Sequence, residues 1–165
     1  MVYIGAENGN LYAVNAASGA ALWTFATGGL IEASPAVHNG VVYVGSGDGN
    51  LYALNAATGA SLWTFTTGDR VFSSAAVANG VIYVGSADHN VYALNAVTGT
   101  RLWTLTTGSD VFSSPAVANG VVYISSQDGN VYAFHLPGGV ATLNRPNPRR
   151  LHPNYALRPQ HGNLT

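Results

Sequence analysis

Short apolar runs alternate with polar turns along most of this chain, and the alternation repeats. In the 71–108 unit, Val71 to Ala78 is apolar and small and ends at Asn79-Gly80. An Asn-Gly pair between two apolar runs predicts a tight hairpin, because both residues accept a positive φ. Val81 to Ser86 follows, rich in β-branched and aromatic residues. A polar turn at 87–90 leads to Val91–Asn95, and a second turn at 96–100 leads to Arg101–Thr106. The unit therefore reads as four strands, and no segment of the chain shows helical periodicity.

The same unit recurs without a slip. Tyr3, Tyr43, Tyr83 and Tyr123 stand 40 residues apart, as do Tyr12, Tyr52, Tyr92 and Tyr132. Trp23, Trp63 and Trp103 keep the same step. A period near ~40 residues built from short strands is the signature of a propeller blade. The predicted fold is all-β, a β-propeller of four-stranded antiparallel blades, with about four blades at 2–28, 31–68, 71–108 and 111–145. The first unit supplies only the second, third and fourth strands. In the last, the fourth strand is expected near Ala141 to Arg145, with Leu143 where the period demands Trp. Residues 146–165 form a Pro- and Arg-rich tail. Two readings of that tail stand: a loose end, or a closing strand at 154–158 that fills the missing inner position of the first blade and removes an exposed sheet edge.

The third and fourth strands carry Ala13, Asn15, Ser18, Gly19 and Trp23, repeated as Ala53, Asn55, Thr58, Gly59 and Trp63, and as Ala93, Asn95, Thr98, Gly99 and Trp103. This resembles the tryptophan-docking motif of the quinoprotein, or PQQ-like, β-propeller repeats, with Asn where that family usually has Asp. The resemblance covers residues 2–135. It implies that Trp23, Trp63 and Trp103 dock blade on blade, with Gly19, Gly59 and Gly99 taking the turn conformation. The fourth copy has His135 for Asn and Leu143 for Trp.

Composition narrows the function classes. Only 8% of residues are charged and the net charge is −1, which gives no reason to expect nucleic acid as a partner. There is no cysteine, so disulfides and thiolate metal sites are excluded. No run approaches the ~18 apolar residues of a membrane helix. Met1 leads straight into a strand with no basic or apolar leader, which leaves two readings: a cytoplasmic protein, or a chain that begins downstream of a targeting segment, the reading favoured because the chain opens in mid-repeat. The compartment is not fixed by the residues; the resemblance implies an extracytoplasmic, periplasmic one.

Antiparallel order puts the second-to-third turns and the blade-to-blade connections on one end of the ring. All seven acidic residues fall there: Glu7, Asp48, Asp88 and Asp128 in the turns, Asp69 and Asp110 in the connections, and Glu32 at an inner strand entry. Asp48, Asp88 and Asp128 have a structural explanation as turn residues. Glu32, Asp69, Arg70, His89 and Asp110 break the repeat and are the candidate face for a ligand or partner. Loop drift would give the same pattern. No Asp-x-Asp-x-Asp loop is present, the five histidines lack metal-ligand spacing, and Ser34, Ser74 and Ser114 stand with no repeated base.

Three functions compete. The first is a non-catalytic binding or scaffold propeller with a protein partner, as implied by likeness to BamB-type outer-membrane assembly lipoproteins and to repeat sensor domains of bacterial receptors and kinases. The second is a piece of a quinoprotein dehydrogenase holding pyrroloquinoline quinone and calcium. The chain departs from that pattern, lacking the adjacent-cysteine disulfide and the long inter-blade insertions, so no cofactor, metal or catalytic residue is assigned. The third is a structural or engineered repeat without a ligand. Two chains of four blades would build an eight-bladed homodimeric ring.

Overall fold

The computed structural model describes residues 1–135 and the backbone of 149–151. Within them lie fifteen strands in four antiparallel sheets. Sheet one is β1 (Val2–Gly5), β2 (Asn10–Val14) and β3 (Ala21–Ala26), three strands as the sequence implies. Sheet two is β4 (Ala36–His38), β5 (Val41–Gly45), β6 (Asn50–Asn55) and β7 (Ser61–Thr66). Sheet three repeats it as β8 (Ala76–Ala78), β9 (Val81–Gly85), β10 (Asn90–Asn95) and β11 (Arg101–Thr106). Sheet four is β12 (Ala116–Ala118), β13 (Val121–Ser125), β14 (Val131–His135) and β15 (Arg149–Leu151).

The hairpins form where Asn-Gly stands. Asn39, Asn79 and Asn119 have φ of 48°, 50° and 50°, each followed by a left-handed glycine, the pairing a type I′ turn requires. The inner strands are shorter than the apolar run suggests. Only 76–78 of the 71–78 segment joins the ladder, opposite Val81 to Tyr83. The residues before it bond elsewhere: the Val71 amide donates to the Ser46 carbonyl, and Ser73 Oγ accepts from the Gly85 amide at 3.1 Å.

The fourth sheet departs from the expected spacing. The strand beside β14 is Arg149–Leu151, with Ala133 opposite Arg149, whereas Ala93 stands opposite Trp103 in the sheet before. Pro146 and Pro148 supply no ladder donor, and 149–151 is the proline-free run after them. The sheet thus draws its last strand from the segment assigned to the tail. The expected strand at 141–145 and the closing strand at 154–158 lie outside the described residues.

The core is divided among the junctions between sheets. Three apolar clusters each straddle two neighbours, such as Tyr43, Leu51 and Val71 against Ile82, Val84 and Leu94. One carbonyl organises each of the first two junctions. The Ala56 oxygen accepts from Trp23 Nε1 at 3.0 Å and from the Tyr3 hydroxyl at 2.9 Å. Ala96 does the same for Trp63 at 3.3 Å and Tyr43 at 3.1 Å. The buried Tyr83 hydroxyl has no hydrogen-bond partner among the described residues.

Glycine is required beneath each indole. A Cβ on Gly59 would lie 2.7 Å from the Trp23 ring, and one on Gly99 2.6 Å from the Trp63 ring. Gly19 has the same left-handed φ, but its Cβ would meet nothing within 4 Å. Gly99→Ala is therefore expected to destabilise by about 2 kcal/mol more than Gly19→Ala, since both add the left-handed cost and only the first overpacks a junction. Urea midpoints of the two variants measure the difference; equal shifts would refute the docking role of Gly99.

Candidate functional site

The loops at one end of the sheets are stitched into a continuous band. Each connection between sheets is bonded to the turn of the sheet it leaves and the turn of the sheet it enters. The Ile31 amide donates to the Ala6 carbonyl, and the Gly47 amide to the Leu30 carbonyl. Val71 with Ser46 and Ala87 with Arg70 repeat the arrangement one sheet on.

Carboxylates lock this band. Asp48 Oδ2 accepts from the Gly28 amide and the Tyr52 hydroxyl, both at 2.7 Å, while its Oδ1 accepts from the Asn50 amide at 3.0 Å. Asp88 takes Gly68, Tyr92 and Asn90 in the same way, and Asp128 takes Gly108, Tyr132 and Asn130. Each aspartate thus clasps a connection 20 residues earlier in the chain. Partial burial opposes the charged form of Asp48 and Asp88, but the hydrogen bonds donated to it outweigh that opposition and hold both carboxyls below their ordinary range. The bond from Tyr132 leads in drawing Asp128 down to about 2. Burial, then the neighbouring carboxylate, pushes Tyr52 and Tyr92 up to about 12. The first sheet has Asn8 at this position, donating to the Tyr12 hydroxyl instead.

The residues that break the repeat lie on the same end, and the structure groups them in pairs. Arg70 Nε approaches Asp69 Oδ1 at 3.4 Å, both side chains half exposed. The Arg70 guanidinium lies 5.4 Å from the centroid of Phe72, which packs on Phe112 at 5.8 Å. A shallow polar cleft of about 250 Å³ opens beside this pair, lined by 47–49 and 67–70. His89 Nε2 reaches Asp110 Oδ1 at 3.1 Å, joining a turn of sheet three to the connection that leaves it. His89 holds a φ of 70°, where Gly9, Gly49 and Gly129 hold 83° to 85°. Glu32 is exposed and makes no hydrogen bond or ion pair among the described residues.

The spacing of the sequence marks Asp69, Arg70, His89 and Asp110 as exceptions but does not show that they pair. It also does not reveal Phe72 and Phe112 as a shelf under Arg70. Their signal is visible in retrospect: Glu32, Phe72 and Phe112 occupy one repeat position. Among the described residues no group of three or more His, Asp or Glu converges as a metal site.

The depressed aspartate pKa values set a pH dependence. A carboxyl whose folded pKa lies below its unfolded value of 3.8 adds stability that is fully present above that value and lost as pH falls toward the folded one. The thermal midpoint is expected to hold through neutral pH and to fall from about pH 4 toward pH 2. Asp88→Asn should lower it at neutral pH, removing about 2 kcal/mol of charge-assisted hydrogen bonding, and should flatten the acid limb. Melting curves of both proteins from pH 2 to 7 give the comparison; an unchanged acid limb would count against the clasp.

Comparison with known proteins agrees with this architecture. The family described as outer membrane protein assembly factor BamB matches residues 7–152. Among solved structures, BamB from Moraxella catarrhalis superposes with a TM-score of 0.73 at 28% identity, over 81% of this chain and 42% of that one. The computationally designed Ika4 protein gives 0.74 at 18% identity, over 82% and 84%, a likeness of fold alone. The quinohemoprotein alcohol dehydrogenase ADHIIG from Pseudomonas putida HK5 gives 0.57 at 29% identity, over 62% and 18%. No curated protein sequence matches the chain. The chain spans about two fifths of the length of the Moraxella protein. With its model matching nearly the whole chain, and with sheets, docking tryptophans and connecting loops repeating in step, the chain belongs to the BamB family of β-propeller repeat proteins.

Proposed function

We propose that this chain is a non-catalytic, extracytoplasmic binding module that engages a protein partner through the loop end carrying Glu32, Asp69, Arg70, His89 and Asp110. The observation that carries the reading is His89. Three sister turns use glycine at its position, and a left-handed non-glycine residue costs about 1 kcal/mol. The fold does not require that cost, since Gly49 and Gly129 build the same turn. What the substitution provides is an imidazole paired across a connection with Asp110, at the same loop end as the exposed Arg70 on its aromatic shelf. Cationic, acidic and aromatic groups on a rigid frame suit a protein surface, because planar and charged side chains give contact area with little loss of freedom. The family's description, an outer membrane protein assembly factor, supports a partner in the cell envelope. No helix among the described residues is long and apolar enough to cross a membrane.

The quinoprotein reading has one observation in its favour, the likeness to the Pseudomonas dehydrogenase. Against it stand the absence of cysteine and of long inter-blade insertions, and titration with pyrroloquinoline quinone and calcium is expected to leave the quinone spectrum unchanged.

The binding role is tested by placing a photoreactive amino acid at Arg70 or Asp110 and, as control, at Val97. Val97 is 82% exposed and lies in a turn at the opposite end of sheet three. Irradiation in a Gram-negative cell envelope is expected to give one discrete adduct from Arg70 and Asp110 and none from Val97. Adducts of equal yield from both ends, or from neither, would remove the loop end as the contact surface.

A further inference from the structure

The three junctions within the chain share one apolar pattern, and the two outward sheet faces each carry half of it. On its receiving side, a sheet offers positions held by Val42, Val44 and Leu54 in sheet two, all with no exposure. Sheet one carries Val2, Ile4 and Val14 at those positions, and there Ile4 is 50% exposed. On its presenting side, a sheet offers positions held by Tyr83 and Val91 in sheet three, again with no exposure. Sheet four carries Tyr123 and Val131 there, 36% and 37% exposed.

The polar parts are halved in the same way. Gly19 is shaped like Gly59 and Gly99 but has no ring above it. Tyr3 and Tyr43 each donate to a carbonyl 53 residues on, whereas Tyr123 donates to none among the described residues. The serines Ser34, Ser74 and Ser114 form a ladder in which each amide donates to the next sheet's hydroxyl, at 2.8 and 3.1 Å. That ladder has the same polarity as the apolar junctions, running from sheet two toward sheet four.

We infer that a second copy of this chain seats its fourth sheet on the first sheet of its partner, and the reverse, so that two chains close one eight-sheet ring. The contact continues the apolar and tyrosine parts of the interior junctions without their indole, since Leu143 stands where the repeat has Trp. One repeat beyond the Tyr83 junction, the Tyr123 hydroxyl meets the Ala16 carbonyl of the other copy, because Ala16 is the repeat equivalent of Ala56 and Ala96. The four sheets have the curvature for it: 81% of this chain lies along 42% of the Moraxella propeller, so two copies together account for a chain of that length. A face that is donor-rich at one end and acceptor-rich at the other does not pair with itself, and only the head-to-tail arrangement matches the halves.

Light scattering after size exclusion on the 165-residue chain is expected to give twice the 17.0 kDa of one chain. Ile4→Asp should halve that mass without changing the far-ultraviolet circular dichroism, since Ile4 is half exposed within one chain. A chain carrying Ala16→Cys, mixed with one carrying Tyr123→Cys under mild oxidation, should yield a mixed disulfide. A native mass of one chain overturns the inference. So does a dimer that keeps its mass with Ile4→Asp and forms no mixed disulfide, because its contact then lies elsewhere. A double variant that bridges only within one chain at high dilution shows self-closure and overturns it too. None of these residues lies on the loop end, so the result is independent of the partner-binding test.

Discussion

Each of the first two junctions depends on a single backbone oxygen serving two aromatic donors. The Ala56 and Ala96 carbonyls each take an indole N–H and a phenol O–H from the sheet before. Both donors are amphipathic, so the same side chains that fill the apolar junction also satisfy the one polar group that faces it. This fixes the angle between sheets more sharply than packing alone, because two directional bonds converge on one point. The glycine three residues after each carbonyl lets the indole lie flat against the backbone. The small alanines Ala53 and Ala93, opposite Trp63 and Trp103 within their own sheets, leave room for the rings.

The aspartate clasps act at the loop end as the tryptophans act at the sheet faces. They tie backbone to backbone through a side chain and use the connection as the donor. The loop end is thus built of two populations of charge. Asp48, Asp88 and Asp128 are consumed by the frame. Asp69, Arg70, His89 and Asp110 are held by one another and remain exposed enough to meet another molecule. A rigid band carrying a few side chains that differ from one sheet to the next is a sound base for selective contact, since little ordering is left for the moment of binding.

Most of this frame is legible in the sequence because it is periodic. The hairpins follow from Asn-Gly, the strands from runs such as VVYVG, and the blade docking from the recurring Trp and Gly. What the sequence hides is what reaches across the repeat. The bond from Gly28 to Asp48 joins residues with no local pattern in common, so Asp48 reads only as a turn residue. The His89–Asp110 pair is invisible for the same reason. The inner strands read too long because apolar residues pack there without joining their sheet's ladder, as Val71 does, whose amide bonds to Ser46 instead. The fourth sheet shifts its last strand where the repeat itself has decayed, and periodicity then has nothing to extrapolate from.

The aromatic junctions also bear on how the chain finds its fold. Because sheets two and three are almost interchangeable, the Trp23 indole has two nearly equivalent landing sites, at Gly59 and at Gly99. Skipping a sheet would cost the nascent chain only a longer closed loop, and that entropy grows slowly with length. Synthesis from the amino terminus counters this, since sheet two emerges and can accept Trp23 before sheet three exists. Order of emergence, more than difference in affinity, would then select the correct neighbour, and refolding from denaturant would lack that guide.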